Sequence, residues 1–221
     1  MPKLSKTLIA ILCTLGISGT VLGCAEECYD GVCETVYGTG YYYDSLVTGV
    51  TYSTQVEDGT AITGMTGERN DPGRFSFYTE EATVTFSLGD TELGSSVGKD
   101  RVTPFDLAGV TEEAVGGCQV DGTLPDDDFR IVHNLAVLLQ TFDTDGDPSE
   151  GIEISDETAA LFEGINIDVD QAWEDFQADT TLGAVLAEFN DANEFAETRT
   201  LREREDALAA LYEGIGLCPA Q

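Results

Sequence analysis

A chain of 221 residues with 42 acidic and only 10 basic side chains carries a formal charge of −32. That balance excludes a nucleic-acid partner, because no basic patch exists to neutralise phosphates, and it leaves no polypeptide surface for anionic lipid. At this length the chain can form one large domain or two small ones with real cores.

Lys3 and Lys6 precede an uncharged apolar stretch, Leu8 to Val21, which is the layout of a secretory signal. The stretch is shorter than the ~20 apolar residues that span a bilayer. Val21-Leu22-Gly23-Cys24 follows and resembles the lipobox of bacterial lipoproteins. The resemblance implies that residues 1–23 are a lipoprotein signal peptide, that Cys24 is the lipidation site, and that the acyl chains attach the protein to the membrane. Ala25 is not the Asp that retains lipoproteins at the inner membrane, so the expected address is the outer membrane. An ordinary signal peptide, with Cys24 in a disulfide, is the alternative.

Removing Lys3 and Lys6 takes the charge to −34 and leaves Lys99 as the sole lysine. Self-repulsion of that size opposes compaction unless salt screens it, and at about 1 M salt the Debye length falls to roughly 3 Å. The composition is that of a salt-adapted surface. Cys28, Cys33, Cys118 and Cys218 remain after Cys13 and Cys24 are set aside, an even number suited to disulfides in an oxidising compartment. Cys28–Cys33 and Cys118–Cys218 are the preferred pairs of the three possible pairings.

Residues 24–43 read as a tether, ending in Tyr41, Tyr42 and Tyr43, which could stack on sugars or pack an edge strand. From Asp44 the apolar period becomes two. Leu46, Val50 and Tyr52 share one face, Phe75 and Phe77 alternate, and Val84, Phe86 and Leu88 face opposite to Thr83, Thr85 and Ser87. Such alternation, with turns at Gly64–Gly73 and Gly89-Asp90, predicts an antiparallel sandwich-like β-rich half over residues 44–118.

The second half, residues 119–221, is expected to be helical and acidic, so the fold class is α+β. Leu124-Pro-Asp-Asp-Asp opens a helix whose Phe129, Val132, Leu135, Ala136, Leu138 and Leu139 make a broad apolar surface. Ser155 caps a short helix, Trp173 and Phe176 mark another, and Leu182, Val185, Leu186 and Phe189 a third. Thr200-Leu-Arg-Glu203 reads as a capping box for the last helix. Residues 44–118 carry −9 and residues 119–221 carry −21, so cations should gather on the helical half.

Within the second half, after the apolar helix, Asp143, Asp145, Asp147 and Glu150 place four carboxyl groups within eight residues. An EF-hand beginning at Asp143 would need Gly at position 6 and Glu at position 12. The chain has Pro148 and Ile154 there, which excludes that motif. A non-standard calcium loop built on the four carboxylates, with calcium as the only candidate cofactor, stands beside a solvated turn. His133, the single histidine, is expected on the surface of its helix. No nucleophile elbow, phosphate loop or dinucleotide motif occurs, and no catalytic residue is assigned.

Several phrases resemble a recurrent module of exported proteobacterial proteins. They are Val47-x-Gly-Val-x-Tyr-x-Thr54, Gly73-Arg-Phe-Ser-Phe-Tyr78, Val84-x-Phe-x-x-Gly-x-x-x-Leu-Gly94 and Val102-Thr-Pro-x-Asp-Leu107. A fifth is Asn134-Leu-Ala-x-Leu-Leu-Gln-Thr-x-Asp-x-Asp-Gly-Asp-Pro-x-x-Gly-Ile152. Glu150 stands where Asn is common in that module. The resemblance implies a surface lipoprotein and carries no activity. The expected function is therefore a non-catalytic, lipid-anchored cell-surface or outer-membrane protein that binds a protein or polysaccharide partner or stabilises the envelope. The alternative is a carboxylate-dependent hydrolase of envelope or extracellular polymer.

Overall fold

The computed structural model describes residues 26–29, 32–35, 38–55, 61–78, 82–115, 126–193 and 198–218. The first described strands, β1 (Glu26–Tyr29) and β2 (Val32–Thr35), pair antiparallel and are followed by β3 (Gly38–Tyr42), β4 (Val47–Thr48), β5 (Thr51–Gln55) and β6 (Ala61–Met65). Next come β7 (Arg74–Phe77), β8 (Thr83–Leu88), β9 (Thr91–Val97), β10 (Arg101–Val102) and the short helix α1 (Pro104–Ala108). The second half contains α2 (Asp126–Thr141), β11 (Ile152–Glu153), α3 (Asp156–Ala160), α4 (Trp173–Gln177), α5 (Thr180–Ala192) and α6 (Arg204–Gly214). Strands lie mainly in the first half and helices in the second, an α+β fold.

The alternation in β8 does what its pattern predicts. Val84, Phe86 and Leu88 are buried and Thr83 is exposed. An antiparallel sheet of order β6-β5-β8-β9 faces a three-stranded sheet of order β10-β3-β7. Aromatic rings fill the space between them. Phe86 lies 5.0 Å from Tyr42 and 5.1 Å from Phe75, and Phe75 lies 5.9 Å from Tyr52, separations at which tilted and edge-on pairs attract.

Two ladders are parallel. β10 pairs with β3, and β11 pairs with β4, setting Ile152 opposite Val47. The second ladder joins the two halves. The β8–β9 hairpin makes another link, because Asp90 N donates to Phe162 O at 3.1 Å and Asp90 Oδ2 accepts from Gly164 N at 2.7 Å. Buried residues of both halves form one hydrophobic cluster around α2, which packs against α1, α4 and α6.

Three expectations are corrected. β3 begins at Gly38, inside the stretch read as tether, and Tyr42 is fully buried. β3 is also the middle strand of its sheet, so its tyrosines do not pack an edge. The last helix starts at Arg204 with Glu203 as N-cap, not from a box at Thr200. Asn190 explains this. Its side chain accepts from Arg199 N at 2.7 Å and donates to Arg199 O at 2.9 Å, while Thr141 Oγ1 accepts from Arg202 N at 3.0 Å. These bonds commit residues 199–202 to α5 and α2 before a helix can begin. Finally, Thr103-Pro-Phe-Asp nucleates α1, with Asp106 Oδ2 accepting from Thr103 N at 2.9 Å.

Candidate functional site

The most unusual polar group in the described residues is Asp44, at 0% exposure. It opens the turn that follows β3, where Ser45 and Leu46 adopt φ of 63° and 65°, left-handed values uncommon for residues with a Cβ. The helical half holds this turn in place. Ile152 N donates to Leu46 O at 3.3 Å, and a Cβ on Gly214 would come within 2.0 Å of Ser45 Oγ. The turn thus fits against α6 only because residue 214 has no side chain.

Gln140, in the last turn of α2, is buried beside Asp44. Its Nε2 donates to Asp44 Oδ1 at 3.0 Å and to Ala207 O at 3.0 Å, so one amide links the β3 turn, α2 and α6. Burial pushes the Asp44 carboxyl up to about 8, against the Gln140 bond and the Arg202 charge and with help from Asp143. Desolvation penalises the charged form, and here it outweighs the partners.

The acidic loop lies next along the chain. Asp143 is buried, and its Oδ1 accepts from Glu153 N at 2.8 Å. Burial raises this carboxyl to about 6, opposed by the Glu153 bond and reinforced by the Asp145 carboxyl. Asp145 Oδ1 accepts from Asp147 N at 2.8 Å. Asp147 Oδ1 accepts from Ser149 Oγ at 2.6 Å and Ser149 N at 3.1 Å, and these bonds hold its carboxyl below the usual range. Glu150 is exposed. Each aspartate therefore caps a different backbone N–H, and among the described residues no three acidic, histidine or cysteine side chains come together around one point.

A cationic side chain already serves this loop. Arg199 Nη1 donates to Asp143 O, and Nη2 donates to Thr144 O at 3.0 Å. The guanidinium occupies the carbonyl oxygens that a hard cation would use alongside carboxylates. The fit to calcium is correspondingly poor in this arrangement.

A third feature is the segment 165–171, pinned at both ends. Thr91 Oγ1 donates to Ile165 O at 3.0 Å and accepts from Ile167 N at 3.1 Å. Asn134 Nδ2 donates to Val169 O at 3.0 Å and Gln171 O at 2.8 Å. Between this segment, β9, α1 and α2 lies a hollow of about 340 Å³, floored by Leu93, Leu107 and Ile131, with Glu92 and Asp168 among its lining. Asp168 Oδ1 accepts from Asp170 N at 2.8 Å.

The other residues singled out in the sequence are dispersed. His133 is buried at 2% exposure, not on a helix surface, because α2 is covered on nearly every side. Tyr41 donates to Asp71 Oδ2 at 3.2 Å, Tyr43 lies 5.7 Å beneath the Arg101 guanidinium, and Tyr42 faces inward, so the three rings do not form one sugar-stacking face. The β1–β2 register sets Cys28 opposite Cys33. Cys218 is disulfide-bonded, while Cys118 and Cys24 lie outside the described residues. The roles of Asp44 and Asn134 have no local signal in the sequence. Asp44 ends a tyrosine run that reads as a loop, and its partners are remote in sequence.

No known protein family, curated protein or solved structure matches the chain.

Proposed function

We propose that this chain is a lipid-anchored envelope protein of the outer membrane, tethered through Cys24, whose acidic folded part binds a protein or polysaccharide partner without turning it over. The observation that carries this reading is where the perturbed carboxyls lie. Asp44 and Asp143, the two acids among the described residues whose environments are shifted upward, are buried and bonded to Gln140 and Glu153. Acid–base chemistry needs such groups within hydrogen-bond reach of a substrate; here they organise the core. The lipid anchor draws its support from Val21-Leu22-Gly23-Cys24. Palmitate labelling of cells producing the full chain tests it. Label on the wild type that disappears in Cys24→Ala is expected, and equal label in both would overturn the anchor.

A second reading, a hydrolase of envelope polymer, draws on Glu92 and Asp168, two acids that line one hollow. Glycoside hydrolysis uses two carboxyl groups across a cleft, and this hollow offers two. Release of reducing ends from peptidoglycan or an extracellular polysaccharide, abolished by Glu92→Gln or Asp168→Asn alone, would replace the binding reading with this one.

A further inference from the structure

The contact between Asp44 and Gln140 is chemically incomplete. One hydrogen of Gln140 Nε2 goes to Asp44 Oδ1 and the other to Ala207 O. Two acceptors remain, Asp44 Oδ2 and Gln140 Oε1, both buried and neither meeting a donor among the described residues. An ionised carboxylate only accepts hydrogen bonds, whereas a protonated one carries an O–H donor. A single proton on Asp44 would therefore satisfy both acceptors, because an acid joined to a primary amide by N–H···O can close the ring with O–H···O. Leaving both bare would cost the desolvation of each.

We propose that Asp44 is held as the neutral acid, its Oδ2–H donating to Gln140 Oε1 in a closed acid–amide pair, and that loss of this proton unlatches the 43–46 turn from α2 and α6.

The groups facing Asp44 act in both directions, and burial decides between them. From β3, the Tyr42 hydroxyl is itself buried and pushed well up by that burial and by Asp44, so it brings no compensating charge. Beyond the end of α2, Asp143 adds a like charge when ionised, while the Gln140 bond and Arg202, ahead of α6, favour the carboxylate. Burial exceeds the Gln140 and Arg202 contributions together and places the carboxyl near pH 8. An unfolded aspartate titrates at about 3.9, so the folded chain holds an extra proton between these limits. The folded chain keeps the latch until pH nears about 8. Its contribution to stability is complete only below about pH 4 and is lost as pH rises through about 8, each pH unit in between raising the unfolding constant about tenfold.

Asp44→Asn isolates this effect, since an amide supplies an N–H donor toward Gln140 Oε1 and carries no charge. Urea unfolding of the wild type and Asp44→Asn would be compared from pH 5.5 to 8 in molar NaCl, which screens the surface acids. The wild-type unfolding constant is expected to rise over this range at least about 100-fold more than that of the variant; parallel profiles would overturn the proposal. Should Asp44→Asn fail to fold, the carbon-13 resonance of the wild-type Asp44 carboxyl decides. A midpoint at least about two units above the unfolded value of 3.9 supports the pair, and any lower midpoint refutes it.

Discussion

The guanidinium of Arg199 packs onto Gly146, with Nη2 2.9 Å from the position a Cβ at residue 146 would take. Gly146 adopts φ of 76°, so an alanine there meets both a left-handed backbone penalty and a displaced arginine. Gly146→Ala is expected to lower stability by about 1–3 kcal/mol. Arg199→Ala, which strips the Asp143 and Thr144 carbonyls of a charged donor, should cost about 1.5–3 kcal/mol. Urea midpoints of the two variants and their double mutant measure this. The double mutant should lose less than the sum, because both changes damage the same contact.

That contact also governs the response to calcium. With Arg199 on the loop carbonyls and the aspartates spent on backbone N–H groups, residues 143–150 should behave as an arginine-closed turn. Added calcium is expected to shift the melting temperature equally in the wild type and in Asp145→Asn. A rise confined to the wild type would assign an ion to Asp143, Asp145, Asp147 and Glu150 instead.

Salt should act on the whole molecule. Acidic side chains outnumber basic ones 42 to 10, so most carboxylates can have no basic partner of their own. Raising NaCl toward about 1 M shrinks the Debye length to roughly 3 Å, below most spacings between exposed carboxylates. The melting temperature is expected to climb steadily from low to molar NaCl, and a flat profile would remove the salt-adapted reading.

Core packing beneath the acidic loop gives the largest expected single-residue effect. Phe142 is fully buried, with its ring 4.9 Å from Phe162 and 5.1 Å from Phe189. Phe142→Ala should cost about 3–5 kcal/mol through lost burial and the cavity left behind. Phe142→Leu should cost less than half as much, with the urea slope unchanged in both.

The parts of this fold that were legible in the sequence are those set by local periodicity. The two-residue alternation of Thr83–Leu88 and the broad apolar surface of α2 each state which side chains go inward. Ser155 caps α3 by accepting from Thr158 N at 3.1 Å, as its position suggests. What stayed hidden depends on residues far apart in the chain. Asp44 finds Gln140 across 96 positions, and nothing near residue 44 reports that its carboxyl will be buried. The same holds for Thr200, whose box signal is sound locally but yields to Asn190. The spacing of Asp143, Asp145 and Asp147 is that of metal ligands, yet it also suits capping the N–H two residues on or reaching Glu153, and these are the bonds the three carboxylates make.

The short ladder between β4 and β11 has a consequence for the order of folding. Val47 must await Ile152, about a hundred residues later, before its strand has a parallel neighbour, and such distant pairings are slow to form. A chain emerging from its N-terminus would carry β4 unzipped until α2 and the acidic loop had followed. An N-terminal fragment ending before β11 would keep that strand exposed, a template for pairing with another copy, so such fragments should aggregate where the whole chain stays in solution.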